Sequence, residues 1–203
     1  MNKYNPNIHH RRSIRLKGYD YSQAGAYFIT ICCDDRICRF GNIENGVMIF
    51  NEYGQIAQNE WMKLAERFTN FELDVFQIMP NHMHGIIALN NVGATLAVAQ
   101  NDAVAQNDNI QNEIINDGDI YADIRAGASP APTVTVSDIV GAYKSLVANG
   151  CLEIYKLKNE TMGKLWQRNY HEHIIRNEQS YQTISNYIIN NPSKWNDDKF
   201  YIK

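Results

Sequence analysis

The chain has 203 residues, 44% hydrophobic and 20% charged, which suits one domain of ordinary size with a sizeable core. No apolar run approaches the roughly 20 residues of a membrane helix, and Met1 to Lys17 carries bases without an apolar stretch, so it does not read as a secretory signal. The formal charge of −3 argues against a polyanionic partner only until its distribution is read.

Five bases (Lys3, Arg11, Arg12, Arg15 and Lys17) precede the first acid, Asp20, and form a basic arm permissive for nucleic acid. Ala26 to Cys33 is aromatic and β-branched and predicts a first strand. Cys32, Cys33, Cys38 and Cys151 form no Cys-x-x-Cys pair and read as buried free thiols of a reducing cytoplasm. Gly41 to Phe50 contains Asn45-Gly46, a hairpin signal between two short strands. Asn51 to Phe68 takes helical spacing, with Ile56, Trp61, Leu64 and Phe68 on or near one face. Phe71 to Met79 predicts a strand, Pro80-Asn81 breaks it, and His82 to Leu89 returns beside it.

The pattern is then lost from about residue 91 to 133. Ala97 to Asp102 is repeated identically as Ala103 to Asp108, and Pro130-Ala131-Pro132 follows, so the segment predicts a low-complexity, disordered insertion in a single domain. It concentrates acid: six acidic residues face Arg125 alone, while the rest of the chain has 18 bases and 16 acids. Helical spacing resumes with Ser137 as the expected N-cap and Ile139, Val140, Tyr143, Leu146 and Val147 on the apolar side. Trp166 to Arg176 ends in a strand, and Glu178 to Asn190 predicts a last helix stopped by Asn191-Pro192. This order describes an α+β sandwich of ferredoxin-like type, a central antiparallel sheet with helices packed on it.

Met79-Pro80-Asn81-His82-Met83-His84-Gly85 carries the first chemical signal. Side chains alternate along a strand, so His82 and His84 share a face while Met83 enters the opposite layer. Their α-carbons lie roughly 6.6 Å apart, within reach of one divalent metal. His171-Glu172-His173 has the same spacing in a more polar segment, so only the apolar run after His84 separates the two pairs. A candidate nucleophile lies in the last helix, where Tyr187 and Asn191 are four residues apart on one face and Ile184 and Ile188 can dock it. Helical spacing alone suits equally a tyrosine that simply packs.

Together these segments resemble the single-tyrosine HUH transposases, in their REP-associated, IS200-like branch. The matching pieces are Tyr27 to Thr30, Met79 to His84, Leu165 to Arg168, His173 to Arg176 and Tyr187 to Pro192, spanning the chain apart from the insertion. The resemblance implies an HUH fold, a metal pair on His82 and His84, a nucleophile on Tyr187 and an amide ligand on Asn191. It implies a divalent cofactor, Mg2+ or Mn2+, and cleavage and rejoining of single-stranded or hairpin DNA through a 5′-phosphotyrosine. Imperfect palindromes are the expected partners, with Arg11, Arg12, Arg15, Lys17, Lys144 and Arg168 as phosphate contacts and Trp166 and Tyr170 as stacking platforms. A cytoplasmic, nucleoid-associated monomer or homodimer follows from the same resemblance. A nicking initiator endonuclease and a non-catalytic or domesticated DNA-binding protein remain as alternatives.

Overall fold

The computed structural model describes residues 18–90 and 134–201. The basic arm (Arg11, Arg12, Arg15, Lys17) and the insertion at 91–133 lie outside them. Among the described residues six strands form: β1 (Gly25–Cys32), β2 (Gly41–Glu44), β3 (Val47–Phe50), β4 (Phe71–Met79), β5 (His82–Leu89) and β6 (His171–Ile175). The helices are α1 (Glu52–Met62), α2 (Leu64–Arg67), α3 (Val136–Leu157) and α4 (Glu178–Asn190), followed by a 3₁₀ segment, Pro192–Asp197.

Four strands make one antiparallel sheet in the order β4-β5-β1-β6, and β2-β3 is a separate hairpin. With the hairpin set aside, this is the ferredoxin-like arrangement of two split β-α-β units, whose crossovers are α1 and α3. Asn45 and Gly46 close the hairpin with φ of 51° and 76°, the left-handed pair a tight type I′ turn requires.

The two faces of the sheet are chemically different. Tyr27, Ile29, Ile31 and Cys33 of β1 and its extension, with Met83, Ile87 and Leu89 of β5, enter the main core against Trp61, Val140, Tyr143 and Val147. The alternate residues, Phe28, Thr30, His82, His84 and Ile86, face the other way, where α4 packs on β4 and β5. Because β5 is covered on both sides, its two histidines are fully buried although they lie outside the apolar core.

Three local details differ from the sequence expectations. The helical stretch after Asn51 is two segments, because Lys63 flattens to φ −74°, ψ −8° and its N–H is shared between the carbonyls of Asn59 and Trp61. Helix α3 is capped by Thr135 rather than Ser137: Thr135 and Asp138 form a reciprocal capping box, while the Ser137 hydroxyl lies 3.3 Å from that of Tyr170. Cys38 is exposed, unlike the buried thiols of Cys32, Cys33 and Cys151.

Gly85, directly after His84, is needed by packing. A Cβ there would lie 2.8 Å from the indole of Trp61, itself fully buried against Tyr143 and Phe71. Gly85→Ala is therefore expected to lower stability by about 1–3 kcal/mol, read as a lower midpoint in urea with an unchanged slope. An unchanged midpoint would show that the Trp61 layer has slack.

Candidate active site

The site is built where β5, β1, α4 and the chain after α4 meet. His82 and His84 project from β5, and their Nε2 atoms are 3.0 Å apart. The Nδ1 atoms are engaged elsewhere, that of His82 with Asn81 Oδ1 at 2.8 Å and that of His84 with the Thr30 hydroxyl at 2.8 Å. Asn81 donates both amide protons, to the carbonyls of Arg36 (3.0 Å) and Phe200 (2.8 Å), which fixes its oxygen toward His82. His82 is therefore the Nδ1–H tautomer, with the Nε2 lone pair turned into the site. The Thr30 hydroxyl can donate or accept, so His84 can place its proton on either nitrogen.

Burial keeps both rings neutral. It pulls the His82 pKa down to about 3, helped by the positive charges of Lys199 and Arg36. His84 is held well below the usual imidazole range, first by burial and then by His82. A neutral imidazole is the form that binds metal. The same depression has a pH consequence for the chain in chelator. The unfolded histidines bind protons below about pH 6.5 and the folded ones do not, so stability is full above that value and is lost as pH falls toward 3. Denaturant titrations at pH 7, 6 and 5 are expected to show a decline approaching 1.4 kcal/mol per pH unit for each histidine. Equal stability at pH 7 and 5 would contradict neutral burial.

The third donor is Asp198, beyond the 3₁₀ segment. One ligand atom from each of His82, His84 and Asp198 lies within 4.8 Å of the others. Asp198 Oδ1 accepts the Phe200 N–H at 2.6 Å, and Oδ2 accepts from Asn191 Nδ2 at 2.9 Å. Asn191 is 2% exposed and its Oδ1 has no partner, an orphaned buried acceptor beside the cluster. Two neutral imidazoles, a carboxylate and an unsatisfied amide oxygen are a donor set that fits a divalent cation. The ring of Phe200 packs beside His82, 4.5 Å from its ring.

Tyr187 comes to this cluster from α4. Its hydroxyl is 3.2 Å from His84 Nε2 and 3.5 Å from Asp198 Oδ2, and its ring meets Phe28 edge-on at 6.2 Å. Burial, with the Asp198 carboxylate beside it, pushes the phenol up to about 12. The residue is nonetheless 39% exposed, so one side stays open to an incoming molecule. The helix is held in register by Tyr181, whose hydroxyl donates to Asp74 Oδ1 at 2.8 Å. Asp74 lies in the irregularity of β4 between Leu73 and Phe76, an instance of a bulge re-aiming a side chain.

Other sequence candidates fall elsewhere. The Lys144 ammonium donates to the carbonyls of Gln167 and Arg168 (2.8 and 3.1 Å), so it props the loop on which Arg168 is exposed. Trp166 is 6% exposed and gives its indole N–H to the Lys144 carbonyl, which removes it as a stacking platform. His171 and His173 pair with Thr30 and Phe28 of β1, on the site's side of the sheet but at its exposed edge. Asp198, Asn81, Thr30 and Phe200 were not singled out by sequence. Asn81 stood inside the histidine motif, and the Asn196-Asp197-Asp198 run was the one available hint of an acid ligand.

The fold and the cluster together define an α+β protein with an HUH-type architecture. The chain matches no protein-family model. It is 38% identical over 202 residues to an uncharacterized protein of Haemophilus influenzae, covering 98% of each chain, and belongs to the same family as that protein. It shares the fold of the REP-associated tyrosine transposase, solved bound to a REP hairpin. The TM-score is 0.52 at 20% identity, with 98% of this chain and 77% of the other covered. No helix among the described residues is long and apolar enough to cross a membrane.

Proposed function

We propose that this protein is a metal-dependent DNA strand transferase that cleaves and rejoins single-stranded or hairpin DNA through a 5′-phosphotyrosine on Tyr187. The observation that carries the reading is the Tyr187 hydroxyl, 3.2 Å from His84 Nε2 and on the open side of the His82–His84–Asp198 cluster. The shared fold of a transposase bound to a DNA hairpin supports the substrate class.

The chain's residues divide the work. His82, His84 and Asp198 would hold the ion, with Asn191 orienting Asp198 and offering its free Oδ1. When bound, a divalent cation, Mg2+ or Mn2+, supplies positive charge for the phosphate oxygens as the reaction proceeds. Asn81 and Thr30 keep the imidazoles in place from behind. With a pKa of about 12, Tyr187 is ionised in only about one molecule in 10⁵ at pH 7, so it needs the loaded site to act. In the step itself the Tyr187 oxygen forms a bond to phosphorus, the bond from phosphorus to the 3′-oxygen breaks, and the proton lost by the phenol is balanced by one gained at the leaving 3′-hydroxyl. The ester conserves the bond, so a second 3′-hydroxyl can reverse the step and join new DNA. Arg11, Arg12, Arg15, Lys17 and Arg168 are the proposed phosphate contacts, with Lys144 supporting the Arg168 loop.

A 3′-fluorescein palindromic single strand, incubated with Mn2+ or with chelator and resolved on a denaturing gel, tests this. A Mn2+-dependent labelled protein adduct, and a joined product when a second 3′-hydroxyl strand is added, are expected. Cleavage without joining would instead support a nicking initiator, and a shift of the strand on a parallel native gel without adduct a non-catalytic DNA-binding protein.

A further inference from the structure

We infer that Arg36 and Lys199 form a clamp at the rim of the cluster that holds a phosphodiester group of the DNA strand, an inference that rests on the reading of this site as DNA-cleaving. Both cations lie over one ring. The Arg36 guanidinium carbon is 5.5 Å from the Phe200 ring centroid and the Lys199 ammonium 4.8 Å from it. Phe200 is 4% exposed and in turn backs His82 at 4.5 Å and His84 at 5.9 Å. Two like charges are thus fixed one aromatic layer away from the two imidazoles.

Neither cation has a salt-bridge partner among the described residues. The two segments are tied together, since Arg36 Nη1 donates to the Lys199 carbonyl at 3.3 Å. The backbone beneath Arg36 is strained to place it. Asp35 and Arg36 are consecutive non-glycine residues in the left-handed region, at φ 50° and 56°. That conformation puts the Arg36 carbonyl on Asn81, the residue that orients His82, and leaves the side chain over Phe200. Strain of this kind persists where surrounding contacts enforce it and gathers at functional sites. Positive charge without an ion-pair partner, one aromatic layer from the cluster, draws a polyanion toward the metal-binding residues.

The test uses the full chain in chelator, with fluorescein-labelled oligo-dT of 20 nucleotides and anisotropy measured across 50–300 mM chloride. Each phosphate contact on a single strand contributes about 0.7 to the salt slope. The double variant Arg36→Gln/Lys199→Gln is expected to lose about 1.4 from the slope and roughly 20-fold in affinity at 0.1 M salt. Arg36→Lys/Lys199→Arg should restore the slope, and Lys63→Gln/Lys156→Gln, whose ammonium groups are paired with Glu60 and Glu153, should leave it unchanged. The Asn81 contact is made by the Arg36 backbone, so these side-chain changes leave it in place. Tight binding with an unchanged slope in the first variant, or an equal loss in the surface control, would overturn the clamp while leaving the DNA-cleaving reading standing. A wild-type chain that does not bind the oligonucleotide would overturn both.

Discussion

Tyr187→Phe is expected to abolish the covalent protein–DNA adduct, a loss of at least about 10⁴-fold in cleavage rate, with folding and DNA binding unchanged. The substitution removes one oxygen. The ring keeps its edge-on contact with Phe28, and what is lost is the hydroxyl's approach to His84 Nε2 and Asp198. Since the residue is partly exposed and the hydroxyl is held at raised pKa, thermal stability should barely move. Tyr181→Phe makes the opposite pair of changes. It breaks the bond to Asp74 that docks α4 and is expected to cost about 1 kcal/mol while leaving adduct formation in place. Gel quantification of the adduct beside a thermal melt for both variants separates the nucleophile from the tyrosine that docks the helix. An active Tyr187→Phe protein would remove the phenol from the chemistry.

The second large effect concerns the ion. Mn2+ at 100 times its dissociation constant should stabilise the wild-type chain by about 2.7 kcal/mol, a rise in melting temperature of roughly 5–10 °C for a domain of this size. His82→Gln and His84→Gln are each expected to erase that rise, because one imidazole and a carboxylate hold a divalent ion poorly. Asp198→Asn should reduce it strongly, since the carboxylate is the cluster's one negative donor. Asn191→Ala should be milder, its amide being neutral and half of its role being to orient Asp198. These melts need no DNA and no turnover. A Mn2+ shift of wild-type size in His84→Gln would place the ion elsewhere.

Much of this geometry was legible because it follows from periodicity. Residues two apart on a strand share a face, so His82 and His84 had to meet once β5 was central, and the apolar run after His84 signalled that position. Helix α4 was bounded correctly at Glu178 and Asn190, because Asn177 supplies a side-chain cap and Pro192 a stop. Thr135 was missed although Thr135-Val136-Ser137-Asp138 is a capping box pattern; Ser137 was closer to the apolar residues. Asp198 was not legible, since it follows an irregular 3₁₀ segment with no repeat to place its side chain, and only tertiary folding brings it to β5. Trp166 and Lys144 show the same limit. An aromatic beside a base resembles a nucleic-acid platform in sequence, yet here the indole is core and the ammonium serves backbone carbonyls.

The most direct test of the account is to trap the adduct formed with a palindromic single strand and Mn2+, digest it, and locate the modified residue by mass spectrometry. The geometry allows one answer among the tyrosines of this region. Tyr187 reaches His84, Tyr181 is committed to Asp74, and Tyr170 lies against Ser137. A nucleotide carried through its 5′-phosphate on Tyr187, and absent when Mn2+ is replaced by chelator, is the result the account predicts. A nucleotide on Tyr181 or Tyr170, or an adduct that forms equally in chelator, would contradict it.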